Sequence, residues 1–368
     1  MSDCFSSREL RSPADFEEYL RRTGVQARLA GDAQVTARVD DISGNINRVR
    51  RVSYVDLSGR VVGSCVVKHV PAGGALERYP SIRFPEDRLA FEAFYYRASS
   101  EAFLDRWVPS ILAQDIENRV LVAEDLAPSM SLERCLLSDA FPEPQFFANL
   151  GRDLGRFHRG SLSLEVPAGF RNNPTAAANR PYVLTLPLEH PEQMRAIWSS
   201  RDGGEGLAVL QAHLFEQAGE RLAAEARSFE SDFKSGEPSV LTHGDLHGES
   251  IFVREGSRAT VLDAELCDPG AAWFDPGMLL AHLLMLTISL ARPVPYAAFL
   301  RAYLDEMRHD GLLKSILKMA GFEMIRRVIG AANSPFVDSQ EKRRQVLRQA
   351  TILVLEPQSS SIHREVIS

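Results

Sequence analysis

Strand-like and helical periods of apolar residues alternate through the first third of the chain, and helical periods dominate the rest. Residues 13–30 carry Phe16, Tyr19, Leu20 and Val25 at helical spacing, with Pro13 suited to a first turn. Residues 47–55, with Val49, Val52, Tyr54 and Val55, and residues 60–70 read as strands. Between them Asp56-Leu57-Ser58-Gly59 has the composition of a hairpin turn. Residues 87–99 return to the helical period, and residues 120–126 form a short apolar strand running into Glu124 and Asp125.

Residues 145–160 predict an amphipathic helix, and residues 207–233 a longer one. The stretch between them, residues 171–205, is rich in Asn, Pro, Arg and Ser and reads as a long loop or insertion. Residues 240–264 hold two short strands around a polar loop, with a second strand ending at Asp263. Helices follow at 277–290, 296–309, 312–332 and 341–355, and the last dozen residues read as a frayed tail. The apolar run 277–290 is interrupted by His282 and is too short to span a bilayer, so it predicts a buried core helix. A mixed β lobe followed by a helical lobe is an α+β arrangement. The predicted division is residues 1–125 and 126–368, with a hinge near 124–128.

Composition narrows the classes. With 45% hydrophobic and 25% charged residues the chain is an ordinary globular one, which excludes wholesale disorder. A net charge of −7 argues against nonspecific nucleic-acid binding, and no membrane partner is expected either. Cys4, Cys65, Cys135 and Cys267 form no CxxC pair, so a cysteine-based zinc site is not expected. Few cysteines in a chain that starts MSDCFSSREL, without the apolar core of a secretory signal, predict a cytoplasmic protein.

Residues 241–277 are the informative stretch. His243-Gly244-Asp245-Leu246-His247 follows an apolar strand start, Ser250 lies five residues after Asp245, and Asp263-Ala264-Glu265 ends the hairpin that follows. Phosphoryl transfer needs a carboxylate near the attacking hydroxyl and further oxygen ligands for magnesium. Asp245 can accept the hydroxyl proton. Asp263 and Glu265, two apart on a strand end, would face one side and hold the metal, with Ser250 as a secondary ligand. His243 and His247 could be read as zinc ligands, but no third nitrogen or sulfur ligand lies nearby; His243 is expected to brace the loop instead.

This stretch resembles the aminoglycoside phosphotransferase and choline kinase superfamily, which has a protein-kinase-like, two-lobed fold. Within it the match is closest to the 5-methylthioribose kinases, which read HGDLHTGS followed by DPE where this chain has HGDLHGES and DAE. Other blocks follow in order. Ser43-Gly44-Asn45-Ile46-Asn47 is similar to the family's GDGNLN phosphate loop, and Val66-Val67-Lys68 to its VxK strand. Residues 87–92, ending in Glu92, resemble the helix carrying the lysine's partner. Val122-Ala123-Glu124-Asp125-Leu126 resembles the hinge that holds adenine, and residues 323–330 the IRRIxG helix whose arginines face the sugar. Departures fall in the phosphate loop, with Ser43 where Asp is usual and Arg48 where an aromatic is common, and near the acceptor, where Ala264 replaces proline and Ala331-Ala332-Asn333-Ser334 replaces Leu-Ala-His.

The resemblance implies ATP and Mg²⁺ between the lobes. It assigns Ser43, Gly44, Asn45, Asn47, Lys68, Glu92, Glu124 and Leu126 to the nucleotide, Asp263, Glu265 and Ser250 to the metal, and Asp245, Arg326 and Arg327 to the acceptor. The reaction implied is phosphorylation of a small-molecule sugar, 5-methylthioribose, at its anomeric hydroxyl, by a homodimer. A kinase of another small alcohol and a non-catalytic pseudokinase are the alternatives. The chain has no HRD, DFG or APE motif of a protein kinase. Arg326 and Arg327, adjacent on a helix, point about 100° apart, so one is expected to be a structural salt bridge rather than a substrate contact.

Overall fold

The computed structural model describes residues 10, 12–42, 47–74, 83–101, 107–194, 205–235, 238–309, 311–330, 332 and 334–368. Contacts divide the chain into two compact units, Met1–Pro128 and Ser129–Ser368.

In the first unit two short helices, α1 (Pro13–Arg22) and α2 (Val25–Ala30), precede strands β1 (Val35–Ile42), β2 (Arg48–Asp56) and β3 (Val61–His69). Helix α3 (Arg88–Glu101) and strands β4 (Ile111–Asp115) and β5 (Val120–Glu124) follow. All neighbouring strands are antiparallel, in the order β1-β2-β3-β5-β4. Alternation decides the two faces of this sheet. Val52 and Tyr54 of β2, Cys65 and Val67 of β3, and Val120 and Val122 of β5 form one core with Phe16, Tyr19 and Leu20 of α1. Lys68 alternates with Val67 and so points to the opposite face. The turn 56–59 forms as its composition predicts: the Asp56 carboxylate accepts from the Ser58 and Arg60 backbone N–H groups at 2.8 and 3.0 Å. The single helix expected over 13–30 is two, because Gly24 adopts a left-handed φ of 75° between them.

The second unit starts with β6 (Met130–Ser131), α4 (Leu132–Leu136) and α5 (Pro144–Ser161). Residues 171–194, expected to be a loop, instead contain helices α6 (Pro174–Val183) and α7 (Leu186–Glu189); Asn173 caps α6 and Pro174 opens it, a start signal that outweighs the polar composition. Helix α8 (Glu205–Ser235) leads into β7 (Ser239–Thr242), β8 (Ile251–Arg254), β9 (Arg258–Val261) and β10 (Asp268–Ala271). Strand β7 pairs with β10, and β8 lies between β6 and β9. Helices α9 (Phe274–Leu290), α10 (Tyr296–Met307), α11 (Leu312–Ile329), α12 (Gln340–Leu355) and α13 (Ser361–Ile367) complete the unit.

Helix α9 is buried from Phe274 to Leu286, as its apolar run predicts, and among the described residues no helix is long and apolar enough to cross a membrane. Helices α5 and α10 pack backbone to backbone: a Cβ at Gly151 would lie 2.0 Å from the Phe299 carbonyl oxygen. The tail is not frayed. Ser360 caps α13, whose Ile362 and Val366 are buried, and Arg301 of α10 donates to the Val366 carbonyl at 3.1 Å.

Candidate active site

The loop between β7 and β8 is fixed from beneath by one buried carboxylate. Asp275, fully buried at the start of α9, accepts the backbone N–H of His243 at 2.7 Å and of Gly244 at 3.0 Å. His158 of α5 adds a third bond to the Asp275 carboxylate at 3.1 Å, and the other His158 ring nitrogen meets the Tyr303 hydroxyl at 2.9 Å. Burial raises the Asp275 pKa, but the hydrogen bond and charge of His158 prevail and hold it below the usual value. Gly244 is required here: its φ is 87°, and a Cβ would sit 2.2 Å from the Leu266 carbonyl oxygen.

His243 braces the loop as expected. Its Nε2–H donates to the Leu262 carbonyl at 2.9 Å, and its Nδ1 accepts the Asp245 N–H at 3.3 Å. Ser250 closes the other end: its hydroxyl donates to the His247 carbonyl at 2.9 Å and accepts the His247 N–H at 3.0 Å. A carbonyl and an N–H of the turn thus occupy most of the hydroxyl's capacity, leaving one lone pair.

Asp245 points toward two guanidinium groups and an imidazole. Arg326 and Arg327 of α11 approach its Oδ1 at 3.5 and 3.9 Å, and His247 Nε2 lies 3.7 Å from its Oδ2. Burial alone would raise the Asp245 pKa; His247 and the two guanidinium groups outweigh it and keep the carboxyl below its ordinary value, hence ionised at neutral pH.

The two arginines do not divide into one structural and one free side chain. Both bond the same buried carboxylate, Glu323, one turn earlier on α11. Arg326 donates to it from Nε at 2.6 Å and Nη2 at 2.7 Å, and Arg327 from Nε at 2.6 Å. Side chains at i+3 and i+4 converge on residue i, so the 100° between neighbours is no obstacle. His282 of α9 adds Nε2 at 3.3 Å from Glu323 Oε1 and stacks on His247 with ring centroids 5.3 Å apart. Burial, then the nearby Arg327 charge, pushes the His282 pKa down to about 3; burial is also the first cause for His247, at about 4, so both are neutral near pH 7. In the sequence Glu323 stands out only as the start of a motif; its i, i+3 and i+4 spacing to two arginines is the signal that identifies it.

Asp263 and Glu265 do not lie on a strand. Strand β9 ends at Val261, and Asp263 has a left-handed φ of 68°, so the carboxylates belong to a turn and the two-residue alternation of a strand does not place them. The donors expected from the sequence, the two carboxylates and the Ser250 hydroxyl, are all hard oxygens. That suits Mg²⁺, which takes one or two carboxylates and completes its shell from water and phosphate. Among the described residues no group of three or more His, Cys, Asp or Glu forms a metal cluster. Asn173, absent from the sequence reading, donates to the carbonyls of Glu265 and Cys267, both at 2.9 Å.

In the first unit Lys68 of β3 and Glu92 of α3 meet as an ion pair at 2.6 Å, both buried, and Tyr96 donates to the same carboxylate oxygen at 2.5 Å. Asn47 is buried and its Oδ1 accepts from Arg88 Nε at 3.0 Å. Glu124, at the end of β5, bonds Ser110 through both backbone and side chain, and Leu126 is buried. Ser43, Gly44 and Asn45 lie outside the described residues.

Residues 42–312 match the model of the phosphotransferase enzyme family, APH. The chain is 26% identical over 388 residues to the methylthioribose kinase of Yersinia pestis (strain Pestoides F), covering 92% of this chain and 90% of the relative. To the methylthioribose kinase of one Bacillus cereus strain it is 25% identical over 289 residues, 68% of this chain and 70% of the relative. Among solved structures, a choline/ethanolamine kinase family protein from Mesorhizobium loti superposes with a TM-score of 0.52 at 18% identity, over 95% of this chain and 98% of that one. The choline kinase of Cryptosporidium parvum Iowa II gives 0.51 at 11% identity, over 95% and 100%. These structures share the kinase-like α+β fold. With the matched region spanning most of its length, the chain belongs to the phosphotransferase enzyme family, APH.

Proposed function

We propose that the protein is an ATP-dependent kinase of a small sugar, with 5-methylthioribose as the acceptor. The observation that carries this reading is the pair of guanidinium groups held beside Asp245 by Glu323. Arginine donors suit the vicinal hydroxyls of a sugar, and their charge disfavours the ammonium groups of choline or an aminoglycoside. The likeness to methylthioribose kinases along nearly the whole chain supports the same choice.

In this mechanism the acceptor hydroxyl donates its hydrogen bond to the ionised Asp245. The oxygen forms its bond to the γ-phosphorus of ATP as the bond to the β–γ bridging oxygen breaks, and the proton passes to Asp245. Lys68 neutralises phosphate charge, and Glu92 fixes its direction. Asp263 and Glu265, with Ser250 secondary, would hold Mg²⁺, which when bound neutralises charge on the transferring phosphate. Most of the rate then comes from positioning and charge neutralisation.

The test is ADP release with ATP and Mg²⁺ against 5-methylthioribose, ribose, choline, homoserine and an aminoglycoside. Turnover on 5-methylthioribose that Asp245→Ala lowers by ~10²–10⁴ is expected, with ATP affinity little changed. Turnover confined to another acceptor would retain the kinase and discard the sugar; ATP binding without turnover on any acceptor would favour a non-catalytic module.

A further inference from the structure

The turn carrying Asp263 and Glu265 is poorly constrained by its own sequence. Asp263 holds a left-handed φ of 68°, a conformation costly for a residue with a Cβ, and Ala264 after it leaves the backbone free. The start of the turn is tied to the catalytic loop: Leu262 N–H donates to the Ser250 carbonyl at 2.9 Å, and its own carbonyl accepts from His243. The end is tied elsewhere. Asn173 is fully buried, and every polar atom of its amide is used. Nδ2 donates to Glu265 O and Cys267 O at 2.9 Å each, while Oδ1 accepts from Thr175 N–H at 2.9 Å and Ala176 N–H at 3.4 Å. Two carbonyls on one side and two N–H groups on the other fix the amide's orientation.

The connection is reinforced one residue on. The Asn173 N–H donates to Asp268 Oδ1 at 3.3 Å, and Arg180 of α6 donates to Asp268 Oδ2 at 3.3 Å. The Asp268 carbonyl accepts from Thr242 at 2.7 Å, at the end of the strand that delivers Asp245. We propose that Asn173 is a positioning residue for the metal: by fixing the backbone at Glu265 and Cys267 it aims the Glu265 carboxylate, so that residues 173–180 set the affinity for the divalent cation. This rests on the reading of Asp263 and Glu265 as its ligands.

The test variant is Asn173→Ser, which keeps an oxygen to cap α6 but removes both amide N–H donors to the turn. The probe is Mn²⁺, whose binding in the presence of ADP is followed by electron paramagnetic resonance. ADP affinity in EDTA is measured alongside. Outer-layer changes of this kind weaken metal binding about 10–100-fold. That weakening is expected, with metal-free ADP affinity unchanged and turnover restored by excess Mg²⁺, a rescue that general destabilisation would not show. A folded Asn173→Ser that binds Mn²⁺ as tightly as wild type overturns the inference alone. Wild-type protein that takes up no Mn²⁺ with ADP overturns it together with the metal assignment. Should the variant not fold, amide exchange on the wild type decides: Mn²⁺ and ADP should slow exchange at 173–176 as well as at 263–268, and unchanged exchange at 173–176 sinks the idea.

Discussion

Glu323 sets the charge balance around Asp245. It is fully buried, yet it stays ionised: burial pushes its pKa up, but two guanidinium groups at bonding distance hold it well below the usual carboxylate range. Without that carboxylate the nearest anion for both arginines is Asp245 itself. Glu323→Gln should therefore draw Arg326 and Arg327 onto Asp245 and raise the acceptor KM more than it lowers kcat. Breaking a buried pair costs on the order of 3–5 kcal/mol, which a urea midpoint would register. An unchanged acceptor KM would remove Glu323 from any role in positioning. Short motifs make Asp245, Lys68 and Glu92 legible in the sequence, because each sits at a fixed offset from glycine or strand signals. Asn173 is not legible in that way, since what matters is the partner brought near by another element, and a single asparagine before a proline carries no sign of that partner.

Elements with a single strong period are the easiest to read. Helix α9 is apolar over most of its length, and β2, β3 and α3 lie within a few residues of where their periodicity puts them. Strands β1 and β4 are hidden in the sequence because the adjacent Asp40 and Asp41 break the alternation of β1, and β4 is only Ile111–Asp115. Residues 171–194 mislead because proline and asparagine count as loop formers by composition, when their order makes them a cap and a first turn. The α5–α10 contact offers a test at this scale. Gly151 lets the two backbones touch, so Gly151→Ala must separate the helices or displace Phe299. A loss of about 1–3 kcal/mol is expected, read from the thermal midpoint. Because α5 also carries His158 to Asp275, turnover should fall with it.

Across the whole molecule, buried ionisable groups give stability a definite pH dependence. His247 and His282 have folded pKa values near 4 and 3, against 6.5 when exposed. Their contribution is fully present above pH 6.5 and is lost as pH falls toward those values, on the order of 3 kcal/mol for His247 and 5 kcal/mol for His282. Glu133 runs the other way. Burial and the neighbouring Glu249 raise it to about 7 from 4.5, so its contribution is present below pH 4.5 and lost as pH rises through 7. Two histidines outweigh one glutamate, and the midpoint of metal-free protein should drop steadily from pH 6.5 to 4.5; a flat or rising midpoint would contradict the neutral state of this pair. The shared anchor at Glu323 also bears on descent. A lineage can replace Arg326 or Arg327 singly, because the remaining guanidinium still neutralises the carboxylate. Losing both strands a buried anion. Drift among neutral acceptors is then open one substitution at a time, whereas a move toward cationic acceptors requires Glu323 to change in the same step or beforehand.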